Sequence, residues 1–347
     1  DAAAATRWTE AVDTVVARHG WQGTFGAVED YLDSLIPAWI MSALEGPAEK
    51  LCGDMPGDYC DEIKGLTAAV LQHKPASSNM TLGKVVAMNL IYDLSAACTS
   101  IVAQDMGGAV HHGRNLDYPI PGLRNLTAHV MFTKGGKVVV NGTTFVGYVG
   151  LLTGQSSVFS VSVDERSLGG DNIVSTIIEA LLNIVSGLEG GKSIGFFLRD
   201  ALMEQATFAD AVAHLNTTRL FAPVYLTVAG AGAGDGAIIT RNRDHADDSH
   251  GAANGVWALA PSEADGWWRL ETNYDHWNAP PGNDDRRDPG NKAMKALGQG
   301  KVDGVGLFGV LSTPPVLNDD TKYTTIMCPA TGEYRVVIRD YDDPGAQ

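Results

Sequence analysis

Apolar residues fall at helical spacing through residues 1–74 and change to strand-like alternation at residue 98. Asp30 to Glu45 carries Leu32, Leu35, Ile36, Trp39, Ile40 and Leu44 on one helical stripe. Pro37 lies inside that stripe and predicts a kink or a restart, because its ring and missing N–H do not fit a helix interior. Thr81 to Asp93 is a further apolar stretch. From Cys98 the segments CTSIVAQD, GAVHHGRNL, TAHVMFTKGGKVVVNGTTFVGYVG and SSVFSVSVDE read as consecutive strands with glycine turns.

Helical spacing returns in 171–220, as NIVSTIIEALLNIVSG, SIGFFLRDALMEQ and TFADAVAHLN. Strands resume with APVYLTVAG, GAIITRNRD, VWALA and WWRLETNY. One helix near 291–311 and two strands, YTTIMC and EYRVVIRD, close the chain. Strand runs around a helical block predict an α+β fold with sheets packed together and helices outside. The natural division falls near residue 97: a helical N-terminal segment, 1–97, and a β-rich remainder, 98–347. No internal repeat or low-complexity linker interrupts it.

Composition narrows the function. The 347 residues are 44% hydrophobic and 19% charged, enough apolar material for a large core. A net charge of −16 argues against a nucleic-acid partner, which needs a basic footprint. Asp and Glu titrate near pH 4, so an acidic compartment would relieve this self-repulsion; simple solubility explains the charge equally well. The chain starts Asp1 followed by four alanines and reads as a mature form whose signal has been removed. Four glycosylation sequons, at Asn79, Asn125, Asn141 and Asn216, favour a secretory route. No run approaches the apolar length of a membrane span.

Several patterns that suggest chemistry have plainer readings. AGAGAGDGA (229–237) resembles a phosphate loop but lies between two strands and lacks the Lys-Ser/Thr, so a hairpin turn fits better. His111 and His112 are adjacent on a strand and therefore point to opposite faces. HADDSH (245–250) has metal-ligand types in a charged surface loop, and no metal or other cofactor is expected. Cys52 and Cys60 flank a Gly/Pro/Asp-rich loop where a small disulfide is plausible. If they pair, Cys328 is odd; alternatively Cys328 tethers another part of the chain and leaves one of them free. Cys98 opens a strand directly after Ser-Ala-Ala. On local context alone, a buried core cysteine is as good a reading as a nucleophile.

The wider pattern decides for Cys98. CTSIVAQD and HGRNLDYP resemble the nucleophile region of the N-acylethanolamine-hydrolysing acid amidase and acid ceramidase family. TTFVGYVGLLTGQ, VDER, ITRNRD, ETNYDHW, NDDRR and LSTPPVLN resemble the same family in the same order, from about residue 85 to the C terminus. GRNLDYP and ETNYDHW look more like the amidase branch, GYVGLLTG and LSTPPVLN more like the ceramidase branch. Leu152 stands where the amidase branch typically has a Trp, which puts the acyl preference in doubt.

This resemblance implies an αββα sandwich that cuts itself between Ala97 and Cys98. Before cleavage the nitrogen of Cys98 is an amide and no base; afterwards it is an α-amine that can take the thiol proton. By match to the family, Cys98 attacks the substrate carbonyl, Arg114 stabilises the thiolate or the oxyanion, and Asp117 orients the Cys98 amine. Asn273 supplies an oxyanion donor, Arg286 completes the polar cluster and Glu165 is an outer organiser. Arg114 and Asp117 are three apart, so strict alternation puts them on opposite faces; for both to serve one site the strand must end or bend before Asp117.

The substrate implied is a lipid amide, foremost an N-acylethanolamine. The alternatives are a ceramidase, a bile-salt or penicillin-type acylase, and, from another class, an inactive lipid-amide binding protein. The resemblance also implies a lysosomal or secreted glycoprotein whose two fragments stay together. The apolar helical stretches Leu35–Leu44 and Ile173–Leu188 are expected either to border an acyl trench and rest on a membrane or detergent surface, or to pack in the core.

Overall fold

The computed structural model describes residues 1–45, 48–91, 97–166, 191–248 and 255–340. Two antiparallel sheets stack face to face. The five-stranded sheet contains β1 (Ala97–Gln104), β2 (Val110–Asp117), β10 (Trp268–Glu271), β11 (Thr321–Cys328) and β12 (Glu333–Ile338), in the order β10-β1-β2-β11-β12. The seven-stranded sheet runs in sequence order from β3 (Thr127–Lys134) through β4 (Lys137–Phe145), β5 (Thr153–Ser156), β6 (Phe159–Glu165), β7 (Val224–Gly230) and β8 (Gly236–Arg241) to β9 (Val256–Ala258).

Helices cover the outer faces. Against the seven-stranded sheet lie Ile194–Glu204 and Phe208–Thr217; against the five-stranded sheet lie Arg287–Leu297 and Gly304–Leu311. The result is the αββα sandwich expected above. The first of these helices, with six helices between Thr9 and Ile91, shares the main core with the outer face of the seven-stranded sheet: Val12, Ile63, Leu66, Val140, Phe159, Val161 and Phe197 are fully buried there. A second core, Ile101, Leu270, Met294, Leu307, Leu311 and Ile326, fills the outer face of the five-stranded sheet. Gly113 lets that helix layer come close: a Cβ there would lie 2.9 Å from Leu311 Cδ1.

Local chemistry sets the breaks. Ile36 is extended (φ −103°, ψ 117°), as a residue before proline prefers, so the stripe over Asp30–Glu45 divides into Phe25–Leu35 and Ala38–Glu45. The single helix expected near 291–311 is two. Gly298, at φ 72°, ends Arg287–Leu297, and the Asp303 side chain caps Gly304–Leu311 by accepting the N–H of Gly306. AGAGAGDGA is the turn of the β7–β8 hairpin. NIVSTIIEALLNIVSG, with the expected stretch Ile173–Leu188, lies outside the described residues.

The expectation of a membrane-resting helical face is corrected here. Leu32, Ile36 and Ile40 of the first stripe are buried in the main core, and Trp39 is exposed. Among the described residues no helix is long and apolar enough to cross a membrane. Cys52 and Cys60 are joined in a disulfide, and Cys328 is a buried thiol at the end of β11.

Candidate active site

Strand pairing assembles the site. In β1–β2 the register sets Cys98 opposite Leu116 and Ser100 opposite Arg114, while β10 sets Glu271 opposite Ser100. Cys98, Ser100, Arg114, His112 and Glu271 therefore share the inner face of the five-stranded sheet. Facing them on β6 are Ser160, Ser162 and Asp164, which alternate with the core residues Val161 and Val163. The space between the sheets around Cys98 is thus polar, although every one of these residues is buried.

Cys98 is held at both of its reactive atoms. Its sulfur accepts from Arg114 Nη2 at 2.8 Å and its backbone N–H donates to Asn273 Oδ1 at 2.7 Å. Arg114 is fixed by four further acceptors: the carbonyls of Leu152 (3.0 Å) and Val163 (2.9 Å), the Tyr323 hydroxyl (3.1 Å) and Thr153 Oγ1. Burial pushes the Cys98 thiol up to about 12, against the pull of Arg114. In the intact chain burial thus favours the neutral thiol, while Arg114 at the sulfur favours the thiolate.

Arg286 approaches from the other side of the strand. Nη1 donates to the Cys98 carbonyl (2.6 Å) and to Asp117 Oδ2 (3.2 Å), and Nη2 donates to Asn273 Oδ1 (2.7 Å). Asp117 also accepts from Thr321 Oγ1 (2.6 Å) and Asn318 Nδ2 (3.1 Å). Burial raises the Asp117 carboxyl, opposed by Arg286 and these two donors. β2 runs through Asp117, which pairs with Ala97 in unbroken register, while β11 shifts register beside it between Thr321 and Tyr323. The expected conflict is resolved differently: Arg114 reaches the sulfur from the inter-sheet face, while Asp117 acts on the opposite face through Arg286. A cleft of about 580 Å³, lined by Asp284, Asp285, Pro315, Asn318 and Asp320 among others, opens onto Asp117 and Arg286.

Asn273 is oriented by its contacts. Two donors meet on Oδ1, and Nδ2 donates to the Glu165 carbonyl at 2.9 Å. In this intact chain its amide nitrogen thus serves Glu165, and its oxygen holds the nucleophile's nitrogen. Glu165 meets the cluster through its main chain, and burial moves its carboxyl up to about 7.

Sequence reasoning missed Ser100, Asp164, Thr321, Tyr323 and Asn318. For Asp164 a signal existed in the alternation Ser160, Ser162, Asp164. His111 and His112 do point apart: His112 lies between the sheets against Ser160 and Ser162, and His111 faces Asp105. Asp247 of HADDSH pairs with Arg166 at 2.8 Å. Of the sequons, Asn79 is exposed; Asn125, Asn141 and Asn216 are half-buried, and Asn125 donates its amide to the Gly23 carbonyl.

An αββα sandwich with a nucleophile at the head of an inner strand, its nitrogen and its sulfur both engaged, defines an N-terminal-nucleophile hydrolase. A family model for linear amide C–N hydrolases of the choloylglycine hydrolase family matches residues 98–315, starting at Cys98 itself. The chain belongs to that family. It is 41% identical over 319 residues to the N-acylethanolamine-hydrolyzing acid amidase of Oryctolagus cuniculus, covering 90% of this chain and 82% of the relative. It is 30% identical over 335 residues to the acid ceramidase of Homo sapiens, covering 92% and 79%. A solved structure of the Caenorhabditis elegans ortholog of N-acylethanolamine-hydrolyzing acid amidase is similar, with TM-score 0.57 and 38% identity over 67% of this chain and 93% of that one.

Proposed function

We propose that this chain is a proenzyme that cuts its own Ala97–Cys98 bond and then hydrolyses N-acylethanolamines to fatty acid and amine. The observation that carries it is the double hold on Cys98, Arg114 on the sulfur and Asn273 on the nitrogen. Cleavage begins with Sγ attacking the Ala97 carbonyl; the C–N bond breaks as the thiol proton passes to the departing nitrogen, a thioester forms, and water hydrolyses it to release the 1–97 and 98–347 fragments with the thiol restored. The freed amine, held by Asn273, then takes the thiol proton, and Arg114 stabilises the thiolate. Substrate acylates Cys98, its amine leaves with the proton, and water hydrolyses the thioester. The solved relative's chain is shorter than this one, as a fragment starting at Cys98 would be.

The greater identity to the acid amidase than to the ceramidase supports the smaller amine leaving group. The assembled cluster argues against an inactive binding protein. Relatives named acid amidase and acid ceramidase, and carboxyls raised by burial, support work in an acidic compartment, which we assign to the lysosome or the secreted route. Intact mass at about pH 4.5 and at neutral pH, with an N-acylethanolamine and a ceramide competing, tests all of this. Two fragments, the larger starting at Cys98, with ethanolamide hydrolysed faster, is the expected result. An intact, silent chain under both conditions would overturn it, and faster ceramide turnover would replace the substrate.

A further inference from the structure

Asp164 is a carboxylate of the inter-sheet layer, electrostatically coupled to Arg114, that the scheme above does not use. It is fully buried on β6, and its Oδ1 accepts from Ser100 Oγ at 2.9 Å. Ser100 contacts Ser162 Oγ (2.9 Å), Ser162 contacts His112 Nε2 (2.9 Å), and His112 Nδ1 contacts Ser160 Oγ (3.0 Å). The direction of this chain follows from its end. Ser100 spends its single proton on Asp164, so Ser162 must donate to Ser100 and His112 Nε2–H to Ser162, and Nδ1 accepts from Ser160. In this arrangement Oδ1 is an acceptor, and a proton on Asp164 that leaves the chain undisturbed sits on Oδ2. Among the described residues that oxygen has no hydrogen-bond partner, and neither has the buried Nε–H of Arg114.

Every element around Asp164 contributes to its field. β1 brings Cys98 and Ser100; β2 brings Arg114 and His112; β10 brings Glu271; β7 brings Tyr225, its register partner; and Arg286 acts from farther off. One nearby cation, Arg114, thus faces Cys98, Asp164 and the Tyr323 hydroxyl, and Glu271 adds its repulsion to Asp164. Buried charges in competition for one cation raise each other's proton affinity. With Asp164 protonated, the charge of Arg114 is left to the sulfur. With Asp164 ionised, its charge draws on that of Arg114, and the thiolate loses part of its counter-charge.

We propose that Asp164 is a positioning residue for the nucleophile, its neutral form leaving Arg114 to Cys98 and its ionisation switching the hydrolase down as pH rises. This rests on the amidase reading. Burial moves the Asp164 carboxyl up to about 7, which puts the switch between acidic and neutral pH.

The test is the pH–rate profile of the matured wild-type and Asp164→Asn proteins. Asn reproduces the neutral acid, with an oxygen for Ser100 and an uncharged group at Oδ2. The expected result is a ratio of the rate at pH 7.5 to that at pH 4.5 raised by about fivefold or more; superimposable profiles overturn the proposal. Ser100→Ala serves if Asp164→Asn does not fold. Losing a donor that favours the charged form must move the neutral-side fall of activity to higher pH, and an unmoved fall overturns the proposal. If the wild-type protein hydrolyses no amide, the amidase reading fails by itself. The coupling is then read from the pH dependence of Cys98 alkylation by iodoacetamide: Asp164→Asn must shift it to lower pH, and an unchanged midpoint refutes the coupling.

Discussion

The backbone N–H of Cys98 donates to the side-chain oxygen of Asn273 at 2.7 Å, across 175 positions of sequence. The same oxygen receives Arg286 Nη2, which ties the nucleophile's nitrogen to the arginine that also holds its carbonyl and Asp117. Asn273→Leu removes this shared acceptor while keeping similar bulk. We expect appearance of the Cys98 fragment to slow by about 10²-fold, the loss typical of one preorganised polar contact in a buried site. A time course of intact mass checks it, and cleavage at the wild-type rate would remove Asn273 from the mechanism.

Arg114→Lys keeps the charge and loses the fork. A single ammonium cannot serve Cys98 Sγ, the Leu152 and Val163 carbonyls, Thr153 and Tyr323 together. We expect kcat for the amide to fall by about 10²-fold or more with a smaller change in KM, because the lost interaction is with the developing anion. Steady-state kinetics on matured protein decide it. A change confined to KM would mean that Arg114 binds substrate instead.

Asp117 and Asp284 both pair with Arg286, but Asp117 is buried and Asp284 is 41% exposed. Asp117→Asn leaves a buried arginine short of its partner, at a cost of about 3–5 kcal/mol, and should stop cleavage. Asp284→Asn removes a solvated partner and should cost less than about 1 kcal/mol. Denaturant unfolding of the two variants separates the cases; equal losses would contradict the buried pairing.

His112 gives a pH-dependent stability term. Burial lowers its pKa from 6.5 to about 3, with Arg114 adding to the effect. The folded state favours the neutral ring, so this contribution is complete above pH 6.5 and is lost as pH falls toward 3. At pH 4.5 the deficit is about 2–3 kcal/mol. Melting of His112→Gln relative to wild type should therefore improve on going from pH 7.5 to pH 4.5. A difference that does not change with pH would show that His112 titrates normally.

The strands around Cys98 were legible because Gly turns and alternation mark them, and the break at Pro37 because proline fixes its neighbour. The division of 291–311 was missed because Gly298 sits in an otherwise helical pattern, where a glycine is tolerated as often as it terminates. Asp164 was passed over for a different reason. In SVSVDE the polar positions Ser160, Ser162 and Asp164 look like a solvated face, and Val161 and Val163 like the buried one. Both faces are buried here, the valines against helices and the polar set against the second sheet. Alternation reveals that two faces differ, and a four-layer fold decides that neither meets water. Asn273 was named through the family resemblance, but its hold on the Cys98 nitrogen was hidden, since its partners depend on contacts that span most of the chain.

Those long-range contacts have a consequence for how the protein matures. The groups that grip Cys98 come from residues 114, 273 and 286, and the polar seam behind it exists only when both sheets have docked. A nascent chain shorter than about 290 residues carries the nucleophile without the hands that hold it, and a misregistered one sets its sulfur against the wrong neighbours. In the proposed scheme self-cleavage would serve as an inspection mark: the chain is stamped once, by its own finished architecture, and a molecule without the stamp has yet to complete its fold.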